Sequence, residues 1–301
     1  MRWLNHWLYK LKKKVSRIFK FMNIEKAISD ANVILKRNNI RSSKLDSEIL
    51  MAQAIKSDRK NVILNLQNKL NNYSLIYFQD LIKQRSSGKP IAYLVGKKDF
   101  WKYEFKVSKD VLIPRPDTEV IIEEVLKFSK NKSKLKVLDI GVGSGCILLS
   151  ILKEKKDFYG TGIDICKKSL ELGKINAFNL GLNKRVKFFK TDVDNFNYGK
   201  YDLIISNPPY INQIDLKYLD KGVINFEPKI ALNGGLDGLS EIKKVICKSS
   251  KLIKIKGKLI LEIGFDQKEK VKNILRNKGF YINKVIKDYA KNDRCIISTK
   301  I

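Results

Sequence analysis

Val137-Leu138-Asp139-Ile140-Gly141-Val142-Gly143-Ser144-Gly145 runs from an apolar strand into a turn with glycine at every second position, and Cys146 to Lys153 then reads as a helix. Glycines at such a turn let the backbone bend tightly and approach a ligand closely. A glycine trio alone is a tight turn and nothing more, so its surroundings decide the fold. Downstream, the pattern predicts strands over Tyr159 to Ile163, Val186 to Lys190, Leu203 to Ser206 and Lys258 to Ile263. Helices are predicted over Lys168 to Leu180, Glu241 to Leu252 and Lys268 to Lys278, with a closing strand pair over Tyr281 to Lys287 and Cys295 to Thr299. This alternation predicts an α/β domain with a mostly parallel sheet covered by helices on both faces.

The predicted strand ends carry the chemistry. Strand 159–163 runs into Asp164, about 20 residues after the glycine turn, where a carboxylate can hold a ribose diol. The next strand ends near Thr191-Asp192, and that carboxylate suits an exocyclic adenine amine. Taken singly, Asp164 reads equally well as a helix cap and Asp192 as a solvated loop acid. No Walker lysine follows the turn, which argues against a nucleoside triphosphate. The run Tyr201 to Ser206 then leads into Asn207-Pro208-Pro209-Tyr210. Two prolines lock φ twice and remove two backbone donors. The stiff loop that remains offers an amide side chain, bare carbonyls and an aromatic face, a set suited to a flat neutral amine. Together with the glycine turn it points to methyl transfer onto a planar nitrogen, with S-adenosylmethionine fitting better than NAD.

Composition narrows the remaining choices. The chain has 301 residues, enough for one large domain or two ordinary ones, and 44% are hydrophobic, enough for a sizeable core. No apolar run is long enough to span a bilayer. Four scattered cysteines with no CxxC pair argue against a zinc site or a disulfide framework and fit a reducing, cytoplasmic setting. The one histidine, His6, lies in the N-terminal extension, so no Ser-His pair, HExxH site or histidine base is available in the body of the chain. The formal charge of +30 has two readings, attraction to nucleic acid or lysine enrichment from an A/T-rich coding sequence. The lysines are spread along the whole chain, which favours the second.

Residues 1–22 form a basic amphipathic extension. Trp3, Leu4, Trp7, Leu8, Leu11, Val15, Ile18 and Phe19 recur at helical spacing among lysines. Readings as a membrane-surface helix, as a targeting segment, or as an upstream start before a natural beginning at Met22 stay open, with the last preferred. Residues 23–90 read as a small helical bundle for substrate recognition: Ala27, Ile28, Ala31 and Ile34-Leu35 share one face, and Asp58 caps a short helix. Residues 91–113 alternate and carry five aromatics, which predicts a bridging β-hairpin. Residues 114–301 form the α/β domain, opened by a helix whose first turn holds Pro116 and Asp117.

The order of glycine turn, Asp164, Asp192 and Asn207-Pro208-Pro209-Tyr210 resembles class I S-adenosylmethionine-dependent methyltransferases acting on planar nitrogens. More closely it resembles the PrmC/HemK family, the glutamine-N5 methyltransferases of peptide-chain release factors. The narrower likeness is carried by Gly88-Lys89-Pro90 with Tyr93 to Gly96, Ile113 to Glu119, Asn207 to Ile211, and Phe226-Glu227-Pro228 with Ala231-Leu232. Leu261 to Gly264, Asp288-Tyr289 and Asp293-Arg294 extend it over about residues 23–301. The resemblance implies a seven-stranded, Rossmann-like methyltransferase sheet behind a helical N-terminal domain, a monomer, and no metal. It also implies that the acceptor is the glutamine of the Gly-Gly-Gln motif of class I release factors. Gly141, Val142, Gly143, Ser144, Gly145 and Asp164 would bind S-adenosylmethionine, with Asp192 and Val193 flanking adenine and Asn207 at the edge of the same site. Many relatives have an aromatic where this chain has Val193.

An amide nitrogen is a poor nucleophile, so positioning must do much of the chemistry. Asn207 Oδ1 and the Pro208 carbonyl would accept the two amide hydrogens, Tyr210 would pack on the amide plane, and Pro209 would stiffen the substrate-binding loop. Arg115 and Glu119 are expected to pair, tying the hairpin to the core; Glu262 reads equally as site or scaffold. Two other readings stand beside this one. One is N-methylation of an exocyclic amine of adenine or guanine in RNA or DNA. The other is a basic binding module without catalysis.

Overall fold

The computed structural model describes residues 22–288 and 290–301. The reading of residues 1–21 and the quoted Tyr289 fall outside the described residues. The chain divides into two compact units, Met1–Val95 and Gly96–Ile301.

Described residues of the first unit are helical: α1 (Ile24–Arg37), α2 (Ser43–Ala54), α3 (Arg59–Leu64), α4 (Asn72–Ser86) and α5 (Ile91–Val95). Asn23, Asp58 and Asn71 cap α1, α3 and α4 with side-chain oxygens, accepting from the N–H three residues on. Leu35, Leu50, Met51 and Phe78 meet in the core of this bundle. Buried Asp46 is held by Arg85 at 2.7 Å.

The α5 segment corrects the expected hairpin over 91–113. Pro90 starts a helical turn, with its carbonyl accepting from Tyr93 and Leu94. Buried Leu94 then joins the bundle core, with Ile91 and Val95 packed against it. The hairpin is shorter, β1 (Lys97–Phe100) against β2 (Tyr103–Lys106). It packs within the second unit. The N–H of Trp101 donates to Glu119 at 2.7 Å, and the N–H of Lys106 donates to Asn176 Oδ1 at 2.8 Å.

Seven further strands form one sheet: β3 (Lys136–Ile140), β4 (Tyr159–Asp164), β5 (Val186–Lys190), β6 (Tyr201–Ser206), β7 (Ile253–Glu262), β8 (Phe280–Lys287) and β9 (Asp293–Lys300). Their order is β5-β4-β3-β6-β7-β9-β8, parallel except that β9 runs against both its neighbours. Helices α6 (Glu119–Phe128), α7 (Cys146–Glu154), α8 (Lys167–Asn179), α10 (Ser240–Leu252) and α11 (Lys268–Asn277) cover it, and a short α9 (Lys221–Ile224) lies in the excursion after β6.

Side-chain alternation sorts the core onto two faces. Val137, Leu203, Ile205 and Ile260 pack with Ile121 and Leu148 on one face; Leu138, Ile204, Leu259 and Leu261 pack with Ile242 and Val271 on the other. From β3 the chain winds outward through β4 to β5, then returns to place β6 on the other side of β3. Such a reversal of strand order opens a crevice at the carboxyl ends of the strands. The glycine turn, Asp164, Asp192 and Asn207 all follow strands at that rim. No helix among the described residues is long and apolar enough to cross a membrane.

Candidate active site

The rim encloses a cavity of about 440 Å³, within the usual size range of small-molecule sites. Its wall includes Gly141, Val142, Gly143 and Ser144 from the turn after β3, Asp164 at the end of β4, and Asp192 and Val193 after β5. Asn207, Pro208 and Pro209 after β6 complete that side. Among the residues singled out from sequence, Gly145 and Tyr210 are not part of this wall.

The turn is built by its glycines. Gly141 and Gly143 have φ of +77° and +54°, and a Cβ at either would project into open space rather than protein. That conformation is costly for L side chains. Gly145, at φ +82°, has another role: a Cβ there would lie 2.8 Å from Leu149, so this glycine lets α7 start close against its own side chains.

Asp164 acts on the turn from the adjacent strand. Its Oδ2 accepts from the Gly143 N–H at 2.9 Å and its Oδ1 from the Cys166 N–H at 2.8 Å. Burial raises its pKa, against the pull of the backbone N–H groups of Cys166, Gly143 and Ile165. Asp192 both lines the cavity and caps the turn behind it, accepting from the Asp194 N–H at 2.9 Å. Asp139 is buried without a hydrogen-bond partner on either oxygen, and burial pushes its pKa to about 8.

The Asn-Pro-Pro-Tyr loop is anchored at both ends. Asn207 Nδ2 donates to Thr118 Oγ1 at 3.3 Å. Tyr210, half-buried against the core, reaches Glu262 Oε1 with its hydroxyl at 3.5 Å and accepts from Arg294 at 3.3 Å. Arg294 also grips the buried Asp288 carboxylate at 2.9 Å. Burial first, then the nearby Glu262 charge, push the Tyr210 phenol to about 12. Burial likewise raises the Glu262 carboxyl to about 7, opposed by the Thr118 hydroxyl and the Arg294 cation.

Arg115 lines the cavity but does not pair with Glu119. Its partner is the buried Glu227, which also accepts from the Ile113 N–H at 3.2 Å. Glu119 is taken by the hairpin backbone instead. Thr118, Glu241 and Lys244 also line the cavity and were not singled out as site residues from sequence. Thr118 had a visible signal, its place inside the Ile113–Glu119 run; the other two look like ordinary surface residues at the start of a helix.

These groups fit S-adenosylmethionine. Two carboxylates suit a ribose diol and an adenine amine, Val142, Ile163, Val193 and Val245 offer apolar wall, and the open side of the glycine turn admits close backbone approach. Among the described residues, no cluster of three or more His, Cys, Asp or Glu could hold a metal ion.

Comparison with known proteins agrees with this architecture. Residues 117–223 match the methyltransferase small domain, and residues 26–96 match the PrmC N-terminal domain. A methyltransferase structure from Pyrococcus furiosus superposes with a TM-score of 0.51 at 18% identity, covering 74% of this chain and 97% of that one, and so shares the fold. The release factor glutamine methyltransferase of Clostridium acetobutylicum is 38% identical over 282 residues, covering 93% of this chain and 99% of its own length. That of Caulobacter vibrioides is 33% identical over 280 residues, covering 93% and 97%. With both units matched and relatives aligned almost end to end, the chain belongs to the release factor glutamine methyltransferase family.

Proposed function

We propose that this protein transfers the methyl group of S-adenosylmethionine to the side-chain amide nitrogen of the glutamine in the Gly-Gly-Gln motif of class I peptide-chain release factors, acting in translation termination. The observation that carries the reading is the shared cavity wall: Asn207 and Pro208 line the same space as the glycine turn, Asp164 and Asp192. The groups assigned here to the acceptor and to the donor therefore border a single cavity. When bound there, S-adenosylmethionine supplies an electrophilic methyl group.

The chain's own residues do the rest. Gly141 to Ser144 and Asp164 hold the donor, and Asp192 and Val193 border its adenine. Asn207 Oδ1 and the Pro208 carbonyl accept the two hydrogens of the acceptor amide. Positive charge grows on that nitrogen as it attacks, so both acceptors bind the transition state more strongly than the ground state. An N-protonated amide is strongly acidic, so its proton leaves without a dedicated base. Pro209 keeps the loop stiff, and Tyr210, packed on the core and tied by its hydroxyl to Glu262 and Arg294, braces the loop from behind the cavity wall. The helical unit serves release-factor recognition, and the protein acts as a monomer in the cytoplasm, where its free cysteines stay reduced.

The test is methylation of a purified class I release factor with labelled donor, followed by mass mapping. Label on the motif glutamine, lost when that glutamine is replaced, supports the reading. Label on RNA or DNA with none on the release factor overturns it in favour of an exocyclic amine acceptor.

A further inference from the structure

Pro208 and Pro209 fix φ at two successive positions, so the stretch from Asn207 to Tyr210 is a stiff bar whose direction is set where it is held. At its start the bar grows out of β6, where Ser206 Oγ donates to the Ile140 carbonyl at 2.7 Å. At its finish it is held through one peptide plane. The Ile211 N–H of that plane donates to the Leu232 carbonyl at 3.1 Å, and the Tyr210 carbonyl accepts from Gln267 Nε2 at 2.9 Å.

Gln267 is 6% exposed and stands outside the cavity wall. Its Nε2 donates to the Tyr210 and Gly238 carbonyls at 2.9 and 3.0 Å, and its Oε1 accepts from the Gly264 N–H at 2.9 Å. A carbonyl only accepts and a backbone N–H only donates, so this carboxamide has one orientation. Turned over, it would set its oxygen against two carbonyls and its NH₂ against an N–H. Glycines leave the room it needs. Gly238 has φ of +68°, and a Cβ there would lie 2.6 Å from the Tyr210 carbonyl oxygen and 2.7 Å from Gln267 Nε2.

Tyr210 and Gly238 stand where the chain enters and leaves the excursion after β6. One amide nitrogen therefore ties both ends of that excursion together and fastens them to the turn after β7. On one side of the tie lie Asn207 and Pro208, and on the other Pro228 and Ala231, all of them in the cavity wall.

We propose that Gln267 is a positioning residue for methyl transfer: by closing the excursion at its base, it holds the Pro208 carbonyl and the Pro228–Ala231 part of the wall in the arrangement the acceptor amide needs. The proposal deepens the reading given above and rests on it for its kinetic consequences. Gln267 does not touch the reacting atoms. It acts through the Tyr210–Ile211 peptide.

The test combines kinetics with a signal that needs no turnover. In full-length protein, Gln267→Met keeps length and bulk and removes all of these hydrogen bonds. It is expected to lower kcat for release-factor methylation about 10- to 100-fold, the order of loss when a remote change displaces reacting groups. KM for S-adenosylmethionine and the Kd for S-adenosylhomocysteine should move by less than about threefold, because Asp164 holds the glycine turn separately. Gly238→Ala attacks the same tie from the other side, and the double variant should lose less than the product of the two single losses. Where Gln267→Met fails to fold, Gly238→Ala alone gives the same readouts. Independently of any acceptor, hydrogen exchange read by mass spectrometry follows the excursion. At exchange times short enough that β3 and β4 stay protected, peptides from residues 211–240 should take up deuterium faster in Gln267→Met than in wild type, as loosening of this segment alone requires. Turnover of folded Gln267→Met within about twofold of wild type, fully multiplicative losses in the double variant, or unchanged uptake in residues 211–240 would each overturn the proposal. Absence of methyl transfer to a release factor by the wild type, with uptake still raised in Gln267→Met, would instead overturn the assigned reaction and leave the tie at the base of the excursion standing.

Discussion

Asp164 Oδ2 accepts the backbone N–H of Gly143 at 2.9 Å, so the end of one strand sets the shape of the glycine turn on the next. The same carboxylate accepts from Cys166 and lines the cavity. It thus holds the turn and borders the cavity, and under the proposed function it would present its carboxylate to the donor. Asp164→Ala should remove both effects. Loss of charge-assisted hydrogen bonds of this kind amounts to about 1.5–3 kcal/mol. Calorimetric titration with S-adenosylhomocysteine should show affinity weakened by about 10- to 100-fold, and an unchanged Kd would show that the carboxylate plays no part in binding.

Gly143 makes a second, separable contribution. Its φ of +54° places any side chain in the left-handed region, and the Cβ position of this cavity-wall residue is open space. Gly143→Ala should cost about 1–2 kcal/mol of stability from backbone strain. Donor affinity should fall by more than that strain explains. Melting temperature and S-adenosylhomocysteine affinity, measured on the same preparation, separate the two effects.

Asn207→Ala is expected to abolish most turnover while leaving the donor half intact. Removing one oriented hydrogen-bonding group from a transition-state site typically costs about 10²–10³ in kcat. The Kd for S-adenosylhomocysteine should change by less than about threefold. Turnover near that of the wild type would contradict the role given to this side chain.

Asp139 should make stability fall as pH rises. Its folded pKa, about 8, lies well above the ordinary value of 3.8 because burial disfavours the charge. The folded state therefore prefers the proton. Its contribution is fully favourable below about pH 4 and is lost progressively toward pH 8. Asp139→Asn removes that dependence. Thermal melts without added donor should show the variant gaining on wild type between pH 5 and pH 9. A constant difference between the two proteins would rule out the shifted carboxyl.

Most of the second unit could be read from sequence because its strands are short apolar runs ending in polar residues. Lys136–Ile140 and Tyr201–Ser206 are buried on both faces, and their ends carry the glycine turn and Asn207. Ile91–Val95 misled because aromatic alternation downstream suggested strand, while Pro90 and contact with the bundle core favour a helical turn. The excursion from residue 211 to 239 gave no periodic signal. It is held by 3₁₀ turns, one four-residue helix and links such as Ile211 N–H to the Leu232 carbonyl. The partner of Arg115 was equally hidden. Glu119 lies four residues on in sequence, but Glu227, which lies 112 residues away, is the one that folding brings alongside. Thr118 next to Asn207 is another long-range meeting that no local pattern announces.

The excursion after β6 is fastened by Glu227 to Arg115 and Ile113, by Ile211 to Leu232 and Gly234 within itself, and by Gln267 to the Tyr210 and Gly238 carbonyls. None of these fastenings involves Gly141, Gly143 or Asp164. The excursion nevertheless reaches the cavity, whose wall includes Pro228, Lys229, Ile230, Ala231 and Asn233. A graft of residues 211–239 from a relative, carrying its own equivalent of Glu227, would therefore replace part of the shared wall, and acceptor choice and S-adenosylhomocysteine affinity measured together would show how far the two are separable.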